Sequence, residues 1–216
     1  MCWVTFLREK SEALGKFKLF KEMVENETDK KIKCLRSDQG GEFTSREFNT
    51  FCEVNGIRRQ LSAPRTPQQN RVVERKNKTI LDATRSMILE ANLPHVYWRE
   101  VVNTTVYTFN RVYIKGETNK TPYELWFGNT PTLKYFRIFG SKCYIRRDEY
   151  IGKFDPRSDE GIFVGYSSKS KAYKCFNKRL QKIIESANVK IDEHFRGNSR
   201  SVDFELVVEM IINKPI

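Results

Sequence analysis

Lys33-Cys34-Leu35-Arg36-Ser37-Asp38-Gln39-Gly40-Gly41-Glu42-Phe43 and Pro67-Gln68-Gln69-Asn70-Arg71-Val72-Val73-Glu74-Arg75-Lys76-Asn77 are the two stretches against which the rest of the sequence is read. In the first, Ile32, Cys34 and Leu35 with polar residues between them predict a short buried strand, which Asp38 and Gly40-Gly41 terminate. A carboxylate at a strand end beside a flexible turn is well placed to meet a ligand. In the second, Pro64 and Pro67 punctuate a loop, and a long helix is expected to follow with Val73, Ile80, Thr84 and Met87 on one face. At about 100° per residue, Glu74 lies at the edge of that apolar stripe, and Arg71, Arg75, Lys78 and Arg85 fill the adjoining polar sector. A carboxylate beside a basic ridge suits a metal ion that handles phosphates, because hard Mg²⁺ prefers carboxylate and water while the cations hold the polyanion.

The 216 residues are enough for one large domain or two small ones with a real core. A net charge of +12 points to a polyanionic partner, of which nucleic acid is the simplest. Cys2, Cys34, Cys52, Cys143 and Cys175 are scattered and odd in number, with no C-x-x-C pair, so reduced thiols in the nucleus or cytoplasm are expected. With His95 and His194 as the sole histidines, no zinc cluster is credible. Met1 to Leu7 is too short, and too soon followed by charge, for a signal sequence. No stretch approaches the ~20 apolar residues of a membrane span.

Along the chain, Trp3 to Leu7 reads as a strand. Ser11 to Asn26 reads as a helix, with Leu14, Phe17, Phe20, Met23 and Val24 on one face. Thr44 with Glu47 forms a candidate capping box for a second helix, which Asn55-Gly56 stops. Ile57 to Leu61 is the next strand, and the alternation of elements indicates an α/β layer fold. The Glu74 helix runs to about Ala91, and Pro94 opens another whose stripe is Trp98, Val101, Val102, Thr105, Phe109 and Val112. From Gly116 to Pro131 turn residues make a connector that Tyr123, Leu125, Trp126 and Phe127 anchor. Short strands follow near Ile138 to Ile145, Glu160 to Tyr166, Ala172 to Asn177 and Lys182 to Ile191, the pattern of a small β-barrel. Leu206 to Ile212 is apolar enough for a short helix or strand.

The segments LRSDQGGEF, SAPRTPQQNRVVERKNKTI, NLPHVYWREVVNTTVYTFNR, TPYELWFGNTP, FRIFGSKCYI and GIFVGYSSKSKAYK closely resemble, in that order, the integrase region of copia-type LTR retrotransposon Pol polyproteins. The resemblance covers roughly residues 2 to 195. It is reinforced by the thirty-five residues between Asp38 and Glu74, the second half of the D,D-35-E pattern of retroviral-type integrases. It implies an RNase H-like core over residues 1–115 with a trailing helix, a connector over 116–135, an SH3-like β-barrel over 136–195 and an unassigned tail over 196–216.

The resemblance also implies integration of element DNA by 3′-end processing and strand transfer, with Mg²⁺ or Mn²⁺ as cofactor, DNA as partner and multimers as the assembly. Asp38 matches the second catalytic carboxylate and Glu74 the third, and both would be metal ligands. Arg65, Gln69, Asn70, Arg71, Arg75 and Lys78 surround the start of the Glu74 helix and are the candidates for DNA contact. Two departures temper this. The first carboxylate has no counterpart, so the core is expected to be incomplete by two strands and impaired, leaving a DNA-binding or assembly remnant as the alternative. Arg71 stands where the family has Gly, adding a phosphate-seeking side chain at a place that favours close backbone approach.

Overall fold

Phe17, Phe43, Phe48 and Phe51 meet ring against ring, Phe17 stacked on Phe48 at 5.3 Å and Phe43 edge-on to it at 5.6 Å. They hold together α1 (Ala13–Thr28), α2 (Gly41–Thr44) and α3 (Arg46–Val54). The structure, a computed structural model, describes residues 1–62, 67–91, 93–116, 118–148 and 152–193, with the backbone alone for residues 67–72. It groups into two compact units, Thr5–Lys78 and a second that runs from Thr79 onward and includes Met1–Val4.

In the first unit β1 (Cys34–Ser37) pairs in parallel with β2 (Arg58–Leu61), Leu35 opposite Arg59. Leu35 and Ile57 are buried beside Phe48 and Cys52, the residues on which α3 closes the layer. The Asn55-Gly56 stop is realised: Gly56 takes φ +65°, a value that favours glycine, and Ile57 N–H donates to Cys52 O at 2.8 Å. The cap at the other end of α3 differs from expectation. Ser45, not Thr44, accepts the Phe48 N–H at 3.2 Å, because Gly41–Thr44 coils into a helical turn of its own.

Glu25 ties the end of α1 to the lead-in of β1. Its carboxylate accepts from Lys21 Nζ at 3.0 Å, Lys31 Nζ at 2.9 Å and the Ile32 N–H at 2.9 Å. Burial would raise its pKa, but these donors together lower it from 4.5 to about 2. A depressed carboxylate stabilises the fold above its unfolded value, so this contribution is whole above pH ~4.5 and lost as the pH falls towards 2. Glu25→Gln is therefore expected to lower stability by about 1–2 kcal/mol at pH 7 and by much less at pH 3. Urea midpoints at the two pH values check this, and an equal loss at both would refute the assignment.

The second unit takes the rest of α4 (Pro67–Ala91), then α5 (Trp98–Val112), α6 (Pro122–Phe127) and five antiparallel strands. The strands are β3 (Lys142–Arg146), β4 (Ser158–Tyr166), β5 (Tyr173–Asn177), β6 (Lys182–Ser186) and β7 (Val189–Asp192), in the sheet order β6-β5-β4-β3-β7. Where one strand was expected over Lys182 to Ile191 there are two, broken at Ala187-Asn188, and they occupy opposite edges of the sheet. Two intervening residues span at most about 10 Å, whereas the edges of a flat five-stranded sheet lie about 19 Å apart. The sheet is therefore rolled into the small barrel that the sequence predicts.

Cys143, Ile145, Phe163 and Cys175 fill its inside. Its outer face, with Val164, Phe176, Ile162 and Ile183, is covered by Ile88 and Ala91 of α4 and Val101 of α5. The predicted stripes hold except at the margin: Ile80, Thr84, Val101, Val102 and Thr105 are buried, while Val112 at the end of α5 is exposed. Two glycines permit the helices to lie this close. A Cβ on Gly140, at φ +81°, would sit 2.5 Å from Ala91 Cβ, and one on Gly165 would collide with Thr104 Oγ1.

The connector holds more order than expected. Thr121 Oγ1 accepts the Glu124 N–H at 3.2 Å while Glu124 Oε2 accepts the Thr121 N–H at 2.8 Å, a full capping box on α6. Of the expected anchors, Trp126 meets Trp3 edge-on at 4.7 Å and Tyr123 lies beneath the Arg111 guanidinium at 4.7 Å, but Leu125 and Phe127 are exposed.

Trp3 to Leu7, expected as a strand, forms none. An extended segment needs a neighbour to complete its ladder, and the Asn110 side chain bonds the backbone of Cys2 alone, just ahead of it. Cys2 N–H donates to Asn110 Oδ1 at 2.8 Å, and Asn110 Nδ2 donates to Cys2 O at 2.7 Å. The Leu206 to Ile212 expectation and the tail lie outside the described residues.

Candidate nucleic-acid and metal site

Asp38 follows the last residue of β1, at the carboxyl end of a parallel pair, where open α/β sheets collect their ligands. It is exposed, and its Oδ1 accepts the Gly40 N–H at 3.1 Å, which fixes the carboxylate on the turn and leaves its other oxygen for a ligand. The two strand ends are tied together. Ser62 N–H donates to Ser37 O at 3.0 Å, and Gln39 Nε2 donates to Ser62 O at 3.1 Å.

Behind the turn lies Arg59, which was not among the expected site residues. Its guanidinium donates to Phe43 O at 2.7 Å, to Ser37 Oγ at 3.2 Å and to Asn49 Oδ1 at 3.3 Å, and it stacks over Phe48 at 4.9 Å. It thus joins the residue before Asp38 to both helices that follow. The available signal was parity: in Arg58-Arg59-Gln60-Leu61 position 59 faces the same side as the buried Leu35.

Glu74 is exposed on α4, as are Arg75 and Lys78, while Arg85 pairs with Asp82 at 3.1 Å. Gln69, Asn70 and Arg71 lie on the first turns of α4, where only the backbone is described, and Arg65 lies outside the described residues. Asn77, one turn beyond Glu74 and between it and the apolar stripe, has a buried Oδ1 with no hydrogen-bond partner. Asp38, Glu74 and Asn77 each offer oxygen donors, the kind a hard divalent cation prefers. Among the described residues no three His, Cys, Asp or Glu side chains stand together as a metal cluster.

The basic residues of the barrel are partly committed elsewhere. Lys142 pairs with Glu160 at 3.1 Å, and Arg147 Nε donates to Asp159 Oδ1 at 2.6 Å. All five cysteines are free thiols, four of them buried. No described helix is long and apolar enough to cross a membrane.

The retroviral polymerase SH3-like domain family matches residues 141–204, which includes all five strands of the barrel. The retrovirus-related Pol polyprotein of transposon TNT 1-94 from Nicotiana tabacum is 37% identical over 188 residues, covering 87% of this chain and 14% of the polyprotein. That of transposon RE1 from Arabidopsis thaliana is 31% identical over 193 residues, covering 89% and 13%. The chain thus spans about one seventh of the length of these relatives. Among solved structures, a chain of the simian T-cell lymphotropic virus intasome in complex with PP2A regulatory subunit B56 gamma matches 87% of this chain and 66% of its own at 17% identity, with a TM-score of 0.45. On its sequence relatives and its SH3-like barrel, the chain is homologous to a segment of the retrovirus-related Pol polyproteins of plant copia-type transposons.

Proposed function

We propose that this chain is a segment of an integrase that joins element DNA to target DNA by polynucleotidyl transfer. What supports the reading is homology to Pol polyproteins in a chain with one exposed carboxylate at a parallel strand end and another on a basic helix. Asp38 and Glu74 would hold Mg²⁺ or Mn²⁺, which supplies Lewis-acid stabilisation of charge on phosphoryl oxygens. Arg75 and Lys78, with Arg65, Gln69, Asn70 and Arg71, would neutralise the DNA phosphates and set their register on α4. Asp38 is held by its turn, so its free oxygen is presented without a rotamer search.

Two carboxylates serve one cation better than two, because paired cations need a carboxylate to bridge them. The chain by itself is therefore proposed to be catalytically impaired, and to retain DNA binding and assembly into multimers as its stronger activities. An intracellular, reducing location, nuclear or cytoplasmic, belongs to the same proposal and suits the free thiols.

The test is a disintegration assay on a branched DNA intermediate with Mn²⁺ or Mg²⁺, run beside Glu74→Gln and Asp38→Asn. Joining near background for the chain alone, with tight DNA binding that weakens as salt rises, is the expected result. Arg75→Ala or Lys78→Ala should reduce the salt slope by about one each. Robust joining lost in Glu74→Gln would establish the integrase reading and remove the impairment. Absence of salt-dependent DNA binding would overturn both.

A further inference from the structure

Glu42 stands out in the Asp38 turn as a carboxylate in the wrong surroundings. Its side chain is 7% exposed and its Oε2 is buried with no hydrogen-bond partner. The nearby cation is Lys10 Nζ, at 3.7 Å from Oε2, beyond hydrogen-bond reach and on a side chain that is 70% exposed. A buried charge in native structures is ordinarily paired or bound to a metal.

The direction in which Glu42 points is equally informative. Its carboxylate folds back over Gly40: a Cβ there would lie 2.5 Å from Oε1, 2.8 Å from Cδ and 2.9 Å from Oε2. The Gly40 N–H is the group that holds Asp38 Oδ1 at 3.1 Å. Two carboxylates therefore converge on one glycine, Asp38 at its nitrogen and Glu42 at its α-carbon. With the intervening bond lengths, their oxygens are no more than about 9 Å apart. Like charges this close repel, and the arrangement is relieved by a cation placed between them.

We propose that Glu42 is a ligand of the divalent cation held at Asp38, so that the Asp38-Gly40-Glu42 turn is a two-carboxylate seat completed by water and phosphate. The inference rests on the metal-dependent reading above and adds a residue to it. It also gives Gly40 a reason beyond turn geometry. Its φ of −54° is open to any residue, so what glycine provides is the space into which the Glu42 carboxylate folds.

The experiment is a Mn²⁺ titration of the full chain without DNA, followed by the electron paramagnetic resonance signal of free Mn²⁺. Wild type is compared with Glu42→Gln, Gly40→Ala, Asp38→Asn and the exposed control Glu47→Gln. Glu42→Gln removes the charge, and Gly40→Ala displaces the carboxylate while keeping it. Both are expected to weaken Mn²⁺ binding about tenfold, with Glu47→Gln unchanged. In metal-free buffer Glu42→Gln should match or exceed the wild-type urea midpoint, since it removes a buried charge whose Oε2 accepts no hydrogen bond; a merely structural glutamate would lower it. Wild-type affinity in both Glu42→Gln and Gly40→Ala, with loss in Asp38→Asn, overturns the role of Glu42 and leaves the metal-dependent reading standing. No Mn²⁺ binding by wild type overturns both.

Discussion

Replacing Asp159 by asparagine is expected to lower the stability of the barrel-containing unit by about 3 kcal/mol, a shift of roughly 6–12 °C in its midpoint. Asp159 is 4% exposed on β4 and gathers three donors. Oδ1 accepts Arg147 Nε at 2.6 Å and Arg179 Nε at 2.8 Å, and Oδ2 accepts Asn177 Nδ2 at 2.8 Å. Asn177 in turn accepts the Leu180 N–H at 2.9 Å, so the cluster fixes the β5–β6 turn as well. Asparagine at 159 would turn an amide NH₂ on at least one donor and remove the carboxylate charge that both guanidinium groups share.

Removing one partner of a buried pair costs about 3–5 kcal/mol, and the lower end applies because the Arg179 side chain is 40% exposed and can rehydrate. Arg179, followed by Asn177 and Arg147, holds the Asp159 carboxyl well below the usual carboxylate range against the opposing effect of burial. Its contribution is therefore complete above its ordinary value of 3.8 and fades as the pH falls below that. Urea midpoints of wild type and Asp159→Asn should differ widely at pH 7 and converge in acid. A variant that unfolds with the wild type at pH 7 would sink the assignment.

Gly165→Ala should cost a similar amount for a different reason. Gly165 has φ +151°, and its Cα faces Thr104 on α5, whose Oγ1 donates to Val164 O at 2.9 Å. An added methyl meets that hydroxyl, so either α5 lifts from β4 or the β4–β5 register, already irregular between Phe163 and Gly165, shifts further. Overpacking costs about 1–3 kcal/mol and the unfavourable dihedral about as much again, giving about 3 kcal/mol in all. Thr104→Ala in the same chain should recover the steric part and not the dihedral part, a coupling that a double-mutant cycle reads directly. Additive effects of the two substitutions would show that α5 does not press on Gly165.

What the sequence revealed, and what it hid, follows from range. Alternation and helical stripes act over a few residues, so β1, β2, α4, α5 and most barrel strands stand within a few residues of expectation. The exceptions depend on distant partners. Trp3 to Leu7 has the residues of a strand but forms no ladder, and Asn110, far along the chain, holds the backbone of Cys2 just ahead of it. The break at Ala187-Asn188 is invisible locally because Ile183, Ala187, Val189 and Ile191 keep an alternation that Glu185 alone interrupts, and only closure of the sheet requires a corner there. The α6 capping box was legible in Thr121-Pro122-Tyr123-Glu124 and was hidden by the turn-rich residues around it.

At the site, the positions of Asp38 and Glu74 were legible because carboxylate, glycine turn and basic helix are all local features. Glu42 and Arg59 were not. Each acts by folding back onto a turn or helix, and nothing in residue type reports the direction of a side chain.

The cover that α4 and α5 place over the outside of the barrel also bears on where this chain can be cut. A segment trimmed to the sheet, residues 136–195, would carry Ile162, Val164, Phe176 and Ile183 into solvent as one greasy patch, the kind of surface that drives association. The sheet keeps its cover only in the larger piece from about Thr79 onward, which forms one compact unit together with Met1–Val4, and a transplanted or separately expressed module should carry both.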